Sequence, residues 1–432
     1  MSDQAPYWLG IDLGTSGCRA IAVDADGVPL AIARVGLPPP LNRTPGCAEQ
    51  SPGLWWDAVR TVLQRIAAQL SDRRCIALVV DGTSATLLLS TLDGTPLGPA
   101  LMYNDRQAVA TAAAIATLAP ADSPARGPTS GLAKLLHLAP LARGQRECLA
   151  LHQADWISGR LSGHFGSTDW NNALKLGFDA ERLEWPAWVR RLVPTGIALP
   201  RVMAPGTPIG RLVPGLATEL GLSPLTQVLA GTTDSTAAVI ATGAVQPGEA
   251  VTCLGSTLVL KVVSADPIAA DRYGVYSQRL GTGWLVGGAS NSGGAVLLQH
   301  FTPEELRVLS VGIDGTRPSG LDYYPLPGIG ERFPRADPKL RPRLDPRPGD
   351  RSIFLHGLLE GLAAIEAEGY RLLRTLGAPT PKRVVTTGGG AANPAWTSLR
   401  ERALGLPVSA AQQQEAAYGA ARLALASGVG VG

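Results

Sequence analysis

Residues 7–34 read YWLGIDLGTSGCRAIAVDADGVPLAIAR. Apolar residues lead into Asp12, a Gly-Thr-Ser-Gly turn reverses the chain, an alternating segment leads out, and Asp24-Ala-Asp-Gly27 turns it again. That pattern predicts three antiparallel strands. Gly14 and Gly17 lack a Cβ, so a bulky group can approach the turn amides closely. Fanned amides beside the hydroxyls of Thr15 and Ser16 form a concavity suited to a phosphate. Asp12 would repel such a ligand unless a divalent cation lay between them, and magnesium, held partly through its own waters, resolves that conflict. Taken alone, the same residues also fit a plain hairpin whose Asp caps its turn.

At 432 residues the chain has room for two or three domains, and its 45% hydrophobic and 17% charged content is that of a globular protein. A net charge of +3, with no run of Lys or Arg, argues against nucleic acid or a membrane surface as partner; protein partners are left open. Five cysteines, none in a CxxC, predict free thiols in a reducing compartment. With no leader pattern in residues 1–6 and no long apolar run, the expected location is the cytoplasm.

Downstream, Ser51-Pro52 opens a predicted helix, LWWDAVRTVLQRIAAQL, with Trp55 and Trp56 as anchors. Residues 75–92, CIALVVDGTSATLLLSTL, read as two strands flanking the polar Asp81-Gly-Thr-Ser84. Polar residues at a strand end commonly bind ligands. Asp81, Ser84, Asn104 and Asp105 are therefore candidate hydroxyl-binding groups, the competing reading being that they only satisfy turn backbone.

From Val228 the opening pattern returns: VLAGTTDSTAAVIATGA, then AVTCLGSTLVLKVV. The turns LGTS (13–16) and LGST (254–257) look like equivalent parts of a duplicated domain. Two phosphate turns imply two similar lobes, 1–227 and 228–432, with a cleft between them. Asp234 at a strand-to-helix junction either caps the helix or, in such a cleft, takes the proton from an attacking hydroxyl. Gly388-Gly-Gly-Ala391 at another strand-to-helix junction leaves bare backbone for a nucleotide. No GxxxxGK[ST] occurs, which excludes a P-loop enzyme.

In order along nearly the whole chain, GIDLGTSGCRA, EQSPGLWW, MYNDRQ, QADWISGRL, TDWNNALKLGFD, AGTTDSTAAVIATGAVQPGEAVTCLGST, GERFPRADP and TGGGAANPAW resemble the FGGY family of carbohydrate kinases. The resemblance implies an α/β fold of two duplicated ribonuclease-H-like lobes, as in actin and hexokinase, with ATP and Mg2+ as cofactors and a small sugar as substrate. It assigns Asp12 to magnesium, Thr15 to the transferred phosphoryl group, and Asp234 to the general base. It matches Gly14, Gly255, Ser256 and Thr257 to phosphate turns, and Gly389, Gly390, Ala391 and Asn393 to an adenosine loop with Trp396 near the base. Asp12, Ser84, Asp234, Ser235 and Asn104 fall on the sugar side. The DGTS at 81–84, standing where xylulose and glycerol kinases commonly carry a GQMHG-like segment, resembles the branch described as D-ribulose kinases. Lys134 stands in the family's PKLLW-like segment, but Ala133 and His137 replace its Pro and Trp.

The activity so implied is ATP-dependent phosphorylation of a ketopentose, D-ribulose to D-ribulose 5-phosphate. The alternatives are D-xylulose or another sugar or polyol, or an actin-like ATP-binding module without transfer.

Overall fold

A computed structural model describes residues 4–429. The chain divides into two compact units, one running to Ala241 and taking back the chain from Glu415, the other Thr242–Gln414.

The opening residues form the expected antiparallel strands β1 (Pro6–Leu13), β2 (Gly17–Val23) and β3 (Pro29–Gly36). Helix α1 (Pro52–Gln69) follows, with Pro52 at its start; Ser51 occupies the cap position without a side-chain bond to the helix. Its buried residues Trp55, Val59, Val62, Leu63 and Ile66 recur at helical spacing and share a core with Leu9, Ile11 and Leu13 of β1. Trp55 is fully buried and donates to Gln50, whereas Trp56 is only half-buried.

The polar stretch 81–84 separates strands of two different sheets. Strand β4 (Arg74–Gly82) runs parallel to β1, while β5 (Leu87–Ser90) pairs with β6 (Cys148–His152) in a five-stranded sheet. Strands β7 (Pro208–Arg211) and β8 (Gln227–Thr233) complete the first sheet, in the order β7-β8-β4-β1-β2-β3. Gly231 to Thr233 stay in β8 instead of turning, and helix α2 (Asp234–Ala241) begins at Asp234 itself.

This first unit extends past the expected boundary at 227/228, because β8 is paired in parallel with β4 and α2 lies against the helix Ala416–Ala426. That last helix packs backbone to backbone. A Cβ at Gly10 would lie 2.0 Å from the Ala417 carbonyl, and one at Gly419 1.8 Å from that of Ala237. Glycine at both places is what lets strand, helix and helix touch. Alternation along β1 then puts Tyr7, Leu9, Ile11 and Leu13 on the α1 face, and Trp8, Gly10 and Asp12 on the face of this final helix.

The second unit repeats the plan. Strands β9 (Glu249–Leu254), β10 (Leu258–Ser264), β11 (Tyr276–Leu280), β12 (Gly283–Ala289), β13 (Arg383–Thr387) and β14 (Val408–Ala410) form a sheet in the order β11-β12-β10-β9-β13-β14. β9 pairs antiparallel with β10 and parallel with β13, as β1 does with β2 and β4. LGST thus occupies the place of LGTS, as the sequence repeat predicts. The long helix α3 (Arg351–Thr375) and helix α4 (Pro394–Leu404) are joined by a fully buried ion pair, Arg400 Nε to Glu366 Oε2 at 2.6 Å.

Candidate active site

A transverse row of side chains crosses the first sheet. Strand register aligns Arg34, Arg19, Asp12, Asp81 and Thr232 on β3, β2, β1, β4 and β8. Register partners point to one face, so two guanidinium groups and then two carboxyls stand side by side near the strand ends. Arg19 Nη1 donates to Asp12 Oδ2 at 3.0 Å, while its Nε lies 3.5 Å from Glu415, the residue preceding the final helix. Arg34 also pairs with Glu415 at 3.0 Å. At the far end of the row, Asn171 Nδ2 donates to Thr232 Oγ1 at 3.1 Å.

Asp12 is only 5% exposed, and burial raises its carboxyl despite the opposing pull of the Arg19 guanidinium. Asp81 is fully buried and pushed well above its ordinary value by burial first, then by the negative charges of Asp12 and Asp234. Neither Asp81 oxygen meets a donor among the described residues. A hydrogen bond between Asp81 and Asp12 exists only when one of the two carboxyls carries a proton. Asp234, at the first turn of α2, is half-buried and accepts from the Ser235 amide at 2.6 Å. The neighbouring oxygens of Asp12 and Asp81 are of the type that suits a hard divalent cation such as magnesium.

The turn between β1 and β2 is closed by Gly14 N donating to Gly17 O at 3.0 Å, with Thr15 half-buried on it. Past β4, the loop carrying Ser84 is held from two sides. Thr83 donates through its amide and hydroxyl to Gln153 Oε1 at 3.0 and 2.9 Å, and Lys134 Nζ donates to the carbonyls of Ala85 (2.8 Å) and Met102 (2.7 Å). Ala85 has φ +64°, a left-handed conformation that a side chain resists, so these bonds hold a strained turn. Burial pushes the Lys134 ammonium down to about 7, against the pull of Asp105. Ser84 is half-buried beside this turn.

Asn104 is exposed and makes no hydrogen bond among the described residues. Its neighbour Asp105 is buried and accepts from the Ala48 and Gln107 amides at 2.7 and 3.0 Å, which is turn chemistry.

The second unit holds a cavity of about 940 Å³. Gly255, Ser256, Gly389, Gly390, Asn393 and Trp396 all line it, as does the apolar wall of Leu297, Leu298, Leu306, Val311 and Ile313; Thr257 and Ala391 do not. A Cβ on Gly390 would lie 2.5 Å from Trp396 and 2.8 Å from Leu254, so only glycine lets the loop lie flat there. The Asn393 side-chain amide accepts from Trp396 N at 3.1 Å and donates to Ser310 Oγ at 2.8 Å. It shapes the cavity wall. A flat apolar slot beside glycine turns can take a nucleoside with its phosphates. Cys253 stands where Asp12 does in the first unit, so the row of carboxylates belongs to that unit alone.

The sequence reading missed Arg19, Gln153, Asn171 and the apolar wall. Arg19 had a signal, since a hairpin pairs residues equidistant from its turn; the others become neighbours only through tertiary packing.

The chain matches the FGGY family of carbohydrate kinases, N-terminal domain over residues 7–241 and C-terminal domain over 250–428. It belongs to that family and is an ATP-dependent carbohydrate kinase. It is 25% identical to a xylulose kinase of Bacillus subtilis over 97% of this chain and 87% of the relative. With an L-fuculokinase of Salmonella typhi it shares 26% identity over 98% and 92% of the two chains. The crystal structure of a xyloylose kinase from Brucella ovis superposes with a TM-score of 0.88 at 25% identity, covering 98% of this chain and 91% of that one. Among the described residues no helix is long and apolar enough to cross a membrane, and all five cysteines are free.

Proposed function

We propose that this chain transfers the γ-phosphoryl group of ATP to a primary hydroxyl of D-ribulose, forming D-ribulose 5-phosphate. The observation that carries the sugar assignment is the DGTS loop. It places a half-buried serine, Ser84, on a turn fixed by Gln153 and Lys134, directly beyond the buried carboxylate of Asp81. The unit containing β1 takes the sugar and the unit containing β9 takes the nucleotide.

Phosphoryl transfer asks mainly for positioning and charge stabilisation, because its transition state is loose. Asp234 accepts the proton of the attacking hydroxyl, while Ser84 orients the sugar; Ser235 and Asn104, both exposed, contact it at the rim. Thr15 and the Gly14 turn bind the transferred group, and Gly255, Ser256 and Thr257 bind the other phosphates. Gly389, Gly390, Ala391 and Asn393 shape the adenosine seat against Trp396. Asp12 holds magnesium, which when bound supplies positive charge to the phosphate oxygens.

D-xylulose is the second reading, favoured by the similarity to the xylulose kinase of Bacillus subtilis. A nucleotide-binding module without transfer has no use for Asp234. ADP release with Mg-ATP, measured against D-ribulose, D-xylulose, L-ribulose, ribitol and glycerol, tests the proposal. The expected result is a kcat/KM for D-ribulose at least tenfold above the others; a D-xylulose optimum overturns the sugar assignment, and sugar-independent hydrolysis alone overturns the kinase reading.

A further inference from the structure

We propose that Asp81 is a magnesium ligand, forming with Asp12 a two-carboxylate site that spans neighbouring strands; this rests on the reading of the chain as a magnesium- and ATP-dependent kinase. Asp12 and Asp81 are register partners on parallel β1 and β4, so their carboxylates leave the same face of the sheet. Asp81 is fully buried, and both its oxygens lack a partner among the described residues. A buried carboxyl without a donor keeps its proton unless a metal ion takes the proton's place.

Two neighbouring donors, Arg19 and Thr83, are engaged elsewhere. Arg19 gives Nη1 to Asp12 and directs Nε toward Glu415. Thr83 gives its amide and hydroxyl to Gln153. Asp81 is thus directed toward an electron-poor ligand, and Asp12, at its side, already bears one cation on a single oxygen.

Two carboxylates suit magnesium in particular. It is a small, hard cation that keeps several waters and is usually held by one or two carboxylates together with substrate phosphates, not by a complete protein cage. Among the described residues no three His, Cys, Asp or Glu side chains form such a cage. The Gly14-Thr15 turn follows Asp12 directly, which puts a glycine turn of the kind that binds phosphate next to the pair.

Mn2+ serves as the probe. Its binding to the full chain is followed by the loss of the free-ion electron paramagnetic resonance signal with ADP held saturating, for the wild type, Asp81→Asn and Asp12→Asn. The nucleotide's own affinity for the ion is common to all three. The wild type should hold Mn2+ more tightly than free ADP does, and Asp81→Asn should weaken it at least tenfold with ADP affinity in the absence of metal unchanged. Asp81→Ser, smaller and unable to bridge, should behave likewise, and thermal unfolding of each variant shows whether it is folded. Mn2+ affinity in both folded Asp81 variants within twofold of wild type overturns the proposal, as does wild-type binding no tighter than that of ADP alone. Sugar-dependent ADP release by the wild type is a separate readout, so loss of the kinase reading and loss of the Asp81 assignment are distinguishable.

Discussion

Arg19 and Asp12 face each other across the first hairpin, and the guanidinium holds one carboxylate oxygen at 3.0 Å. The cation lowers a carboxyl that burial raises. Arg19→Gln therefore leaves Asp12 protonated to a higher pH. The acid limb of the kcat/KM profile should move to higher pH, with activity at pH 7 down about 10- to 100-fold. An unmoved acid limb would mean that Asp12 ionisation does not limit the rate.

Asp81 links the same row to stability. Its folded-state pKa lies well above its ordinary 3.8, so the folded protein keeps a proton that the unfolded chain releases. That contribution is full below about pH 4 and is lost as the pH rises through the folded value. Asp81→Asn carries no such charge. Without metal, the variant should gain about 1–3 kcal/mol over wild type at neutral pH, with little difference near pH 4. Thermal melts from pH 4 to 8 read this directly, and a gap independent of pH would contradict it.

Much of this was legible in the chain itself. The alternation around Asp12 and the Asp24–Gly27 turn determine the first three strands, and the LGTS/LGST repeat determines that the second sheet copies the first. Local signals stop at partners brought together by distant chain. Nothing local pairs Asp81 with Asp12 across some seventy intervening residues; the parallel pairing of β1 with β4 brings them together. Nothing local returns the helix Ala416–Ala426 to the first unit; the fit of Gly419 against Ala237 decides it. Leu297, Leu298, Leu306, Val311 and Ile313, which line the cavity of the second unit, read as ordinary core until the cavity is seen.

Asp234 supplies the sharpest catalytic test. Asp234→Asn preserves shape and removes the proposed base, so nucleotide affinity should stay within about threefold while kcat falls by about 10²–10⁴. Calorimetric ADP titration and a coupled kinase assay separate the two quantities. Retained turnover would remove Asp234 from the role of base.

Gly390→Ala addresses the second unit. The added carbon would sit 2.5 Å from Trp396 and 2.8 Å from Leu254, forcing the indole or the loop into the cavity. ADP affinity should fall at least about tenfold, a loss of about 1.4 kcal/mol. D-ribulose protection of the first unit against proteolysis should be unchanged. Equal loss of both ligands would indicate global misfolding instead.

Lys134 tests whether the Ser84 loop sets sugar affinity. Lys134→Met keeps the volume of the buried stem but leaves the Ala85 and Met102 carbonyls without their donor, at a cost of about 1–3 kcal/mol each. Ala85, left-handed at φ +64°, then has less to hold it, and Ser84 shifts with it. The KM for the sugar should rise about tenfold or more while the KM for ATP stays the same. A pH signature accompanies this. The folded-state pKa of about 7 lies below the ordinary 10.5, so between these values the unfolded chain binds the extra proton and wild-type stability rises with pH. Methionine cannot titrate, and its stability should lack that rise between pH 7 and 10. Sugar KM and ATP KM rising together would show that Lys134 supports the whole fold rather than the loop that carries Ser84.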